Sequence, residues 1–321
     1  MAHGLKRPTI TLAITIVMIA AFFNIEAMSL STGQQVVSAS GIVEQSMSQV
    51  NQSYPQVNQS YPQVNQSYPQ VYTGLSGYPT SITQVQNIID VMNSKGLNIY
   101  RMCFNPEWFS GKLHPYNPNY IQYFLDHCNY NIIVDRNHLW IGGSSGKEGS
   151  AAEARTNWST VRNSVFQVLE KWPNNPRVMV ELINEYVSSD FYTRMQSLVT
   201  EIRSAGHTNP IVANKWDQPW TVINDPLNST YQGYHFYFNS WSVSGAMSQI
   251  NAARSKGIKL ISTEIGADYR EYSYFTSSTV AELNSYLSQC SKLGVGNTVW
   301  MYENLNNMPR YEELNISIPQ S

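Results

Sequence analysis

Two glutamates stand where strand-forming sequence runs out. Glu185 lies near the end of residues 180–186, VELINEY, and Glu264 lies within residues 261–267, ISTEIGA. Acidic residues are poor strand formers and are rarely buried without partners. Two of them at the ends of apolar runs require a reason. Paired carboxylates have a clear use in glycosidic bond cleavage, which passes through an oxocarbenium-like transition state. One carboxylic acid protonates the leaving oxygen, and the second carboxylate stabilises or attacks the anomeric carbon. A separation of roughly 5–5.5 Å favours the covalent, retaining route. Other polar groups fall at comparable places: Arg101 in residues 98–104 (NIYRMCF), Asp135 and His138 in DRNH, Asn184 beside Glu185, and His235 and Tyr237 in YHFY. Trp300 ends a further apolar run.

These groups can cooperate only if distant strands carry them to one rim. Residues 72–321 number about 250, the typical length of a (β/α)8 barrel. Apolar patterning predicts strands near 70–75, 98–104, 131–135, 177–184, 210–214, 231–237, 259–264 and 298–302. Between them it predicts helices, one carrying Val85, Ile88, Ile89 and Met92 and capped by Gly96, and others near 120–128, 157–171, 191–205, 244–256 and 280–293. Several strands are continuously apolar (NIIV, VMVELI, KLIS), as parallel strands buried on both faces require. The expected fold is therefore a single α/β (β/α)8 (TIM) barrel domain, with its chemistry at the C-terminal ends of the strands.

The chain outside the barrel has another character. Residues 9–23 carry no charge and follow His3, Lys6 and Arg7. That is the length of a signal-peptide core and short of the roughly 20 residues that span a bilayer. Residues 1–28 are read as a cleaved signal peptide or a retained membrane anchor, so the remainder is expected outside the cell, secreted or tethered. Residues 29–71 form a Ser/Gln/Pro linker whose only charge is Glu44, ending in three tandem NQSYPQV heptads. Proline in every heptad forbids a coiled coil and implies an extended spacer. Sequons lie at Asn51, Asn58 and Asn65 in the repeats, and at Asn157, Asn228 and Asn315. The net charge of −2, from 20 basic and 22 acidic residues, excludes a polybasic nucleic-acid binder. Three dispersed cysteines exclude a disulfide-dense scaffold, and no CxxC pair is present.

Plainer readings apply to other residues. Glu181 lies four residues before Glu185, deeper in the strand, where a carboxylate needs a structural partner such as arginine. His235 and Tyr237 lack a second His or Cys at ligand spacing, so no metal or other cofactor is expected. Cys103 reads as a small buried hydrophobe, and His127 and His207 as surface or turn residues. GGSSGKE, residues 142–148, is mis-spaced for a phosphate loop. Trp108, Trp140, Trp216, Trp220 and Trp300 lie at or just beyond strand ends, where indole faces could line a polysaccharide groove; Trp158 and Trp172 read as core, and Trp241 as either.

In order along the chain, NIYRMCF, VELINEY, YHFY and ISTEIGA resemble the strand-two, strand-four, strand-six and strand-seven motifs of glycoside hydrolase family 5, the cellulase family of retaining (β/α)8 glycosidases. The resemblance implies that Glu185 is the acid/base and Glu264 the nucleophile. Arg101 and Tyr237 would hold Glu264 ionised and oriented. An arginine nearby favours the charged carboxylate, and like charge disfavours it in the neighbour, so Glu185 is expected protonated at rest. Asn184 would bind the sugar 2-hydroxyl, His235 would contact Glu185 or substrate, and Trp300 would stack under a sugar ring. The implied partner is a polysaccharide, most simply a β-1,4-glucan or else a β-mannan, acted on by a monomer. Two departures stand out. Tyr186 replaces the proline that usually follows Asn-Glu. His138 lies three residues after Asp135 rather than two, so either the loop holds an extra residue or His138 is not the equivalent group.

Overall fold

The computed structural model describes residues 71–108, 114–138, 151–216, 219–237, 242–266 and 277–300, all within the unit Gln66–Ser321. The hydrophobic segment at 9–23, the repeats, the segment 142–148 and the sequon at Asn315 lie outside them. Among the described residues no helix is long and apolar enough to cross a membrane.

Eight strands form a closed barrel in sequence order: β1 (Thr73–Gly77), β2 (Ile99–Cys103), β3 (Asn131–Asp135), β4 (Val178–Glu181), β5 (Ile211–Trp216), β6 (Thr230–Tyr237), β7 (Leu260–Gly266) and β8 (Gly296–Trp300). Every neighbouring pair is parallel, and β8 closes on β1. The helices are α1 (Ile82–Lys95), α2 (Pro118–His127), α3 (Ala151–Thr156), α4 (Trp158–Lys171), α5 (Phe191–Ser204), α6 (Val243–Arg254) and α7 (Ser277–Lys292). The (β/α)8 expectation holds. Its boundaries move by two residues or more at five strands: β1 runs from Thr73 to Gly77, β4 ends at Glu181, β5 at Trp216 and β7 at Gly266, and β8 runs from Gly296 to Trp300. The short α3 was not anticipated. Apolar Val71 and Tyr72 extended the first strand prediction backwards, although the ladder begins only at Thr73.

Local sequence explains the elements. Ser81 accepts a hydrogen bond from Gln84 N and starts α1, and Gly96 ends it at φ 65°, a left-handed position that suits glycine. Val85, Ile88, Ile89 and Met92 form its buried stripe. Asn117 caps α2 with Pro118 in its first turn, and Ser242 caps α6.

Strand alternation sorts the side chains into two cores. Tyr100, Met102, Ile132, Val134, Val178, Val180, Ile211, Ala213 and Leu260 join the large cluster packed against the helices. The residues between them on the lower turn, Ile99, Ile133, Met179, Val212 and Ile261, form a separate apolar layer with Tyr72 and Tyr231. Two residues further along each of those strands come Arg101, Asp135, Glu181, Asn214 and Thr263, all buried. The barrel interior therefore changes from an apolar floor to a polar layer within one strand repeat.

The β5–β6 connection is held by a buried ion pair. Arg203, in the last turn of α5, donates from Nε and Nη2 to Asp225 Oδ1 and Oδ2 at 2.9 and 3.0 Å. Its Nη1 bonds the carbonyls of His207 and Asn209. Burial alone would raise the Asp225 carboxyl, but hydrogen bonds and charge from Arg203, with Thr230 and the Leu227 N–H, hold it at about 2. A carboxyl lowered by folding stabilises the native state above its unfolded pKa of about 3.9 and loses that contribution as pH falls towards 2. The unfolding free energy of the wild-type protein, from denaturant titrations, should fall across that window, by up to ~2 kcal/mol from this pair. Asp225→Asn should be less stable at neutral pH and show a flatter acid dependence; a slope equal to wild type would contradict the assignment.

Candidate active site

One guanidinium organises the polar layer. Arg101 is fully buried. It donates from Nε to Glu181 Oε2 at 2.6 Å and from Nη2 to Glu181 Oε1 at 2.9 Å, Asp135 Oδ2 at 2.9 Å and Asn184 Oδ1 at 2.8 Å. Its Nη1 donates to Glu264 Oε1 at 2.8 Å. Glu181 is thus the partnered structural carboxylate that its depth suggested.

Glu264 reaches this guanidinium through an irregularity in β7. In the β6–β7 ladder Tyr234 pairs with Ser262, but His235 pairs with Glu264, leaving Thr263 as an extra residue. Regular alternation would turn Glu264 away from Thr263. The bulge lets both side chains face the interior: Thr263 Oγ1 meets Asn214 and His235, while Glu264 meets Arg101. The other oxygen of Glu264 accepts from Tyr237 OH at 2.5 Å. Burial raises the Tyr237 phenol well above its ordinary range, so the group stays a donor. Gly266 makes room for it: a Cβ there would fall 2.8 Å from the Tyr237 ring.

Glu185 follows β4 in a left-handed conformation, φ 44°. A non-glycine residue held there stores local strain, which surrounding structure must support. The support is visible. Val187 N donates to Glu185 O at 2.8 Å, closing a tight turn. Tyr186 is fully buried, its ring 5.7 Å from that of Trp158 and its hydroxyl 3.0 Å from Asp190 Oδ1. Tyr186 thereby anchors the turn in place of proline. His235 Nδ1 lies 2.6 Å from Glu185 Oε1 and 3.4 Å from Glu264 Oε2. A carboxylate oxygen of Glu185 and one of Glu264 lie within 4.8 Å of each other, with the His235 nitrogen inside the same limit.

His138 lies beside this group. Asn137 before it packs towards α4: its N donates to Asp135 Oδ1 and its Nδ2 to Ser164 Oγ and Leu182 O. His138 Nδ1 lies 2.7 Å from Asp135 Oδ2, and Nε2 lies 3.9 Å from Glu264 Oε1. Its ring stacks on Trp300 at 5.2 Å and 5°. Burial lowers His138 well below its ordinary range and His235 to about 4, while it pushes Asp135 up to about 6 against the pull of Arg101. Both imidazoles are therefore neutral near pH 7.

The expected tryptophan row needs correction. Trp300 is half-buried at the rim, with Tyr78 edge-on at 5.4 Å. Trp220 instead is 3% exposed, its ring 6.4 Å from Tyr234, and belongs to the core. Trp108 packs partly buried against the same core. The contact of Trp220 is with Tyr234, which packs in the helix-facing cluster. The side chains of Trp140, Trp216 and Trp241 lie outside the described residues. Asn214, Thr263 and Tyr78 were missed. An asparagine in the apolar strand IVANKW was a signal; nothing in the sequence marked the bulge at Thr263.

Among the described residues two trios bring ligand-type atoms within 4.8 Å: Cys103, Asp135 and His138, and Glu185, His235 and Glu264. Arg101 and His138 already meet Asp135 Oδ2, and Arg101 and Tyr237 already meet Glu264. Asp135 Oδ2 and both oxygens of Glu264 thus have a guanidinium, imidazole or phenol as partner.

The family model described as Cellulase (glycosyl hydrolase family 5) matches residues 64–306. The chain belongs to glycosyl hydrolase family 5. It is thus a glycoside hydrolase, and the matched span agrees with the barrel. Among solved structures, this family 5 chain is similar to an endo-β-1,4-glucanase from Xanthomonas axonopodis pv. citri, with TM-score 0.55 and 18% identity over 72% of this chain and 88% of that one. It is also similar to the catalytic domain of Thermobifida fusca endoglucanase, with TM-score 0.53 and 16% identity over 73% and 80%. A β-mannanase from Streptomyces thermolilacinus gives TM-score 0.50 and 18% identity over 73% and 80%. No curated protein matches the chain.

The hub of this family 5 site is testable through stability. Arg101→Met leaves Asp135, Glu181 and Glu264 buried without their cation, and should cost about 3–5 kcal/mol in urea unfolding. Arg101→Lys should recover little, because an ammonium cannot reproduce the forked contacts. A loss below ~1 kcal/mol for Arg101→Met would show that the pairs are not net stabilising.

Proposed function

We propose that the protein is a retaining, endo-acting β-glycanase that cleaves β-1,4-glucan by double displacement. The observation that carries this reading is the approach of Glu185 and Glu264 within 4.8 Å, with His235 between them. That spacing suits the retaining geometry of roughly 5–5.5 Å between carboxyl groups. Glu264, ionised beside Arg101 and Tyr237, attacks the anomeric carbon. Glu185 gives its proton to the leaving oxygen, and the glycosidic C–O bond breaks as the glycosyl ester forms. In the second step Glu185 takes a proton from water, whose oxygen attacks the same carbon and releases Glu264. Asn184 binds the 2-hydroxyl, and the Trp300 face, backed by His138 and Tyr78, receives a pyranose ring.

A β-mannanase is the second reading, since the same carboxylates serve either sugar and structures named as mannanases share the fold. The two differ in contacts to an equatorial or an axial 2-hydroxyl. A non-catalytic carbohydrate-binding protein would have no need of the Arg101–Glu264–Tyr237 arrangement. We also propose a monomer that acts outside the cell, secreted or tethered through residues 9–23; detergent partitioning of the native protein distinguishes the two.

Reducing-sugar release from carboxymethyl-cellulose, mannan and xylan should be greatest on the cellulose derivative. Release from none would favour the binding protein. Glu185→Ala and Glu264→Ala should each lose about 10³-fold or more in kcat on an unactivated substrate. With an activated β-glycoside, azide should restore turnover and assign the roles. Azide replacing the nucleophile gives the α-glycosyl azide in Glu264→Ala, and azide attacking the glycosyl ester gives the β-anomer in Glu185→Ala. The reverse pattern would exchange the two roles.

A further inference from the structure

Asn214 stands in the centre of the polar layer, two residues after Val212 on β5. Its Nδ2 lies 3.0 Å from Glu181 Oε1, 3.1 Å from Asn184 Oδ1, 2.7 Å from His235 Nε2 and 2.7 Å from Thr263 Oγ1. Gly233 on the adjacent strand leaves space for it, since a Cβ there would fall 3.0 Å from both Cβ and Cγ of Asn214. The proton inventory of this cluster can be counted outward from Arg101, which only donates. Arg101 Nη2 is 2.9 Å from Glu181 Oε1 and 2.8 Å from Asn184 Oδ1, so both atoms are acceptors. The Asn214 atom facing them must be its amide nitrogen, because an oxygen there would set three acceptors against one another. An amide nitrogen only donates. The amide has two hydrogens for four neighbours, so the contact with His235 Nε2 decides the tautomer: at 2.7 Å an Nε2–H would face a nitrogen that offers no acceptor, whereas a bare Nε2 can accept from it. An Nε2–H would have only Thr263 Oγ1, at the longer 3.1 Å, to accept it, and the geometry therefore favours Nε2 as an acceptor. A neutral imidazole with Nε2 bare carries its proton on Nδ1, the atom 2.6 Å from Glu185 Oε1.

We propose that Asn214 is a positioning residue that fixes His235 as the Nδ1–H tautomer, so that His235 donates to Glu185 Oε1 and the transferable proton of Glu185 stands on Oε2. This rests on the reading of Glu185 as the acid/base. In the first step the Oε2–H bond breaks as the leaving oxygen gains its proton; in the second, Oε2 takes a proton from water. His235 keeps its own proton throughout. The charged and titratable groups around the ring are Glu181 and Glu185 from β4 and the turn after it, Glu264 from β7, Arg101 from β2, and His138 after β3. Burial leaves the ring neutral among them, with its pKa held at about 4, so the choice between tautomers falls to hydrogen bonding.

The test is a 15N spectrum of the full chain labelled at histidine, with His235 assigned by its own substitution. Near neutral pH the wild-type protein should show a protonated, pyrrole-type Nδ1 and a bare, pyridine-type Nε2 at His235. Asn214→Ala should give a mixture of tautomers and lower kcat by about 10- to 100-fold, part of the 10²–10⁴ that a positioned acid/base supplies. The alkaline limb of its kcat/KM profile should move to higher pH, because the Glu185 carboxylate loses a fixed donor. A pyrrole-type Nε2 in the wild-type protein overturns the proposal, as does Asn214→Ala with wild-type tautomer and an unmoved alkaline limb. If Asn214→Ala does not fold, the wild-type spectrum alone decides. If the wild-type protein cleaves no polysaccharide, the acid/base reading fails, whereas the spectrum still reports whether Asn214 sets the tautomer.

Discussion

A guanidinium with no access to water has to be neutralised on every side. Removing a charge of this size from water costs several kcal/mol even after relaxation, and only well-formed pairs and hydrogen bonds offset that cost. Arg101 finds Glu181, Asp135 and Glu264 around it, each delivered by a different strand. The requirement is strict about register: a slip of one residue in β3 or β4 would turn Asp135 or Glu181 outward and place an apolar side chain against the cation. The same contact that would make such a slip costly also sets Glu264 in place. Stability of the barrel and preparation of the site are one constraint here.

Two local irregularities then bring the acids together. A barrel strand of regular alternation offers an inward position every second residue. The extra residue in β7 breaks that rule and yields adjacent inward side chains, Thr263 for the hydrogen-bond layer and Glu264 for the rim. After β4 the chain achieves the same end with a left-handed residue, Glu185 itself, held by the buried Tyr186. Both acids thus occupy positions that an ideal strand would not provide, and the surrounding packing maintains both distortions.

Much of this was legible in the sequence because strand periodicity is a strong signal. The buried polar residues Arg101, Asp135 and Glu181 interrupt apolar runs, and that interruption located the site. Glu185, Glu264, His235 and Tyr237 were visible for the same reason. What was hidden depends on pairing between strands. The bulge at Thr263 exists only as an offset between β6 and β7, so no single segment records it. Asn214 resembled a strand end until its neighbours were known. Trp220 was misplaced because distance from a strand end does not state the direction in which a loop folds. His138 was ambiguous by one residue, because its spacing from Asp135 does not state which way the chain between them turns.

The charge pattern gives the two carboxylates different surroundings. Arg101 donates directly to Glu264, and Tyr237 adds a phenolic hydrogen bond. His235, which faces Glu185, is neutral, as is His138, which stacks beneath Trp300. Protonated imidazoles there would add charges that change with pH in the working range. Burial prevents this by holding both rings uncharged, so the field at the rim is set by a guanidinium that stays protonated. Under the proposed reading, in which Glu264 is the nucleophile, its attraction to the fixed guanidinium weakens as charge leaves the carboxylate, whereas the neutral contact at Glu185 changes little. The guanidinium therefore serves to hold and orient the resting carboxylate rather than to drive its attack.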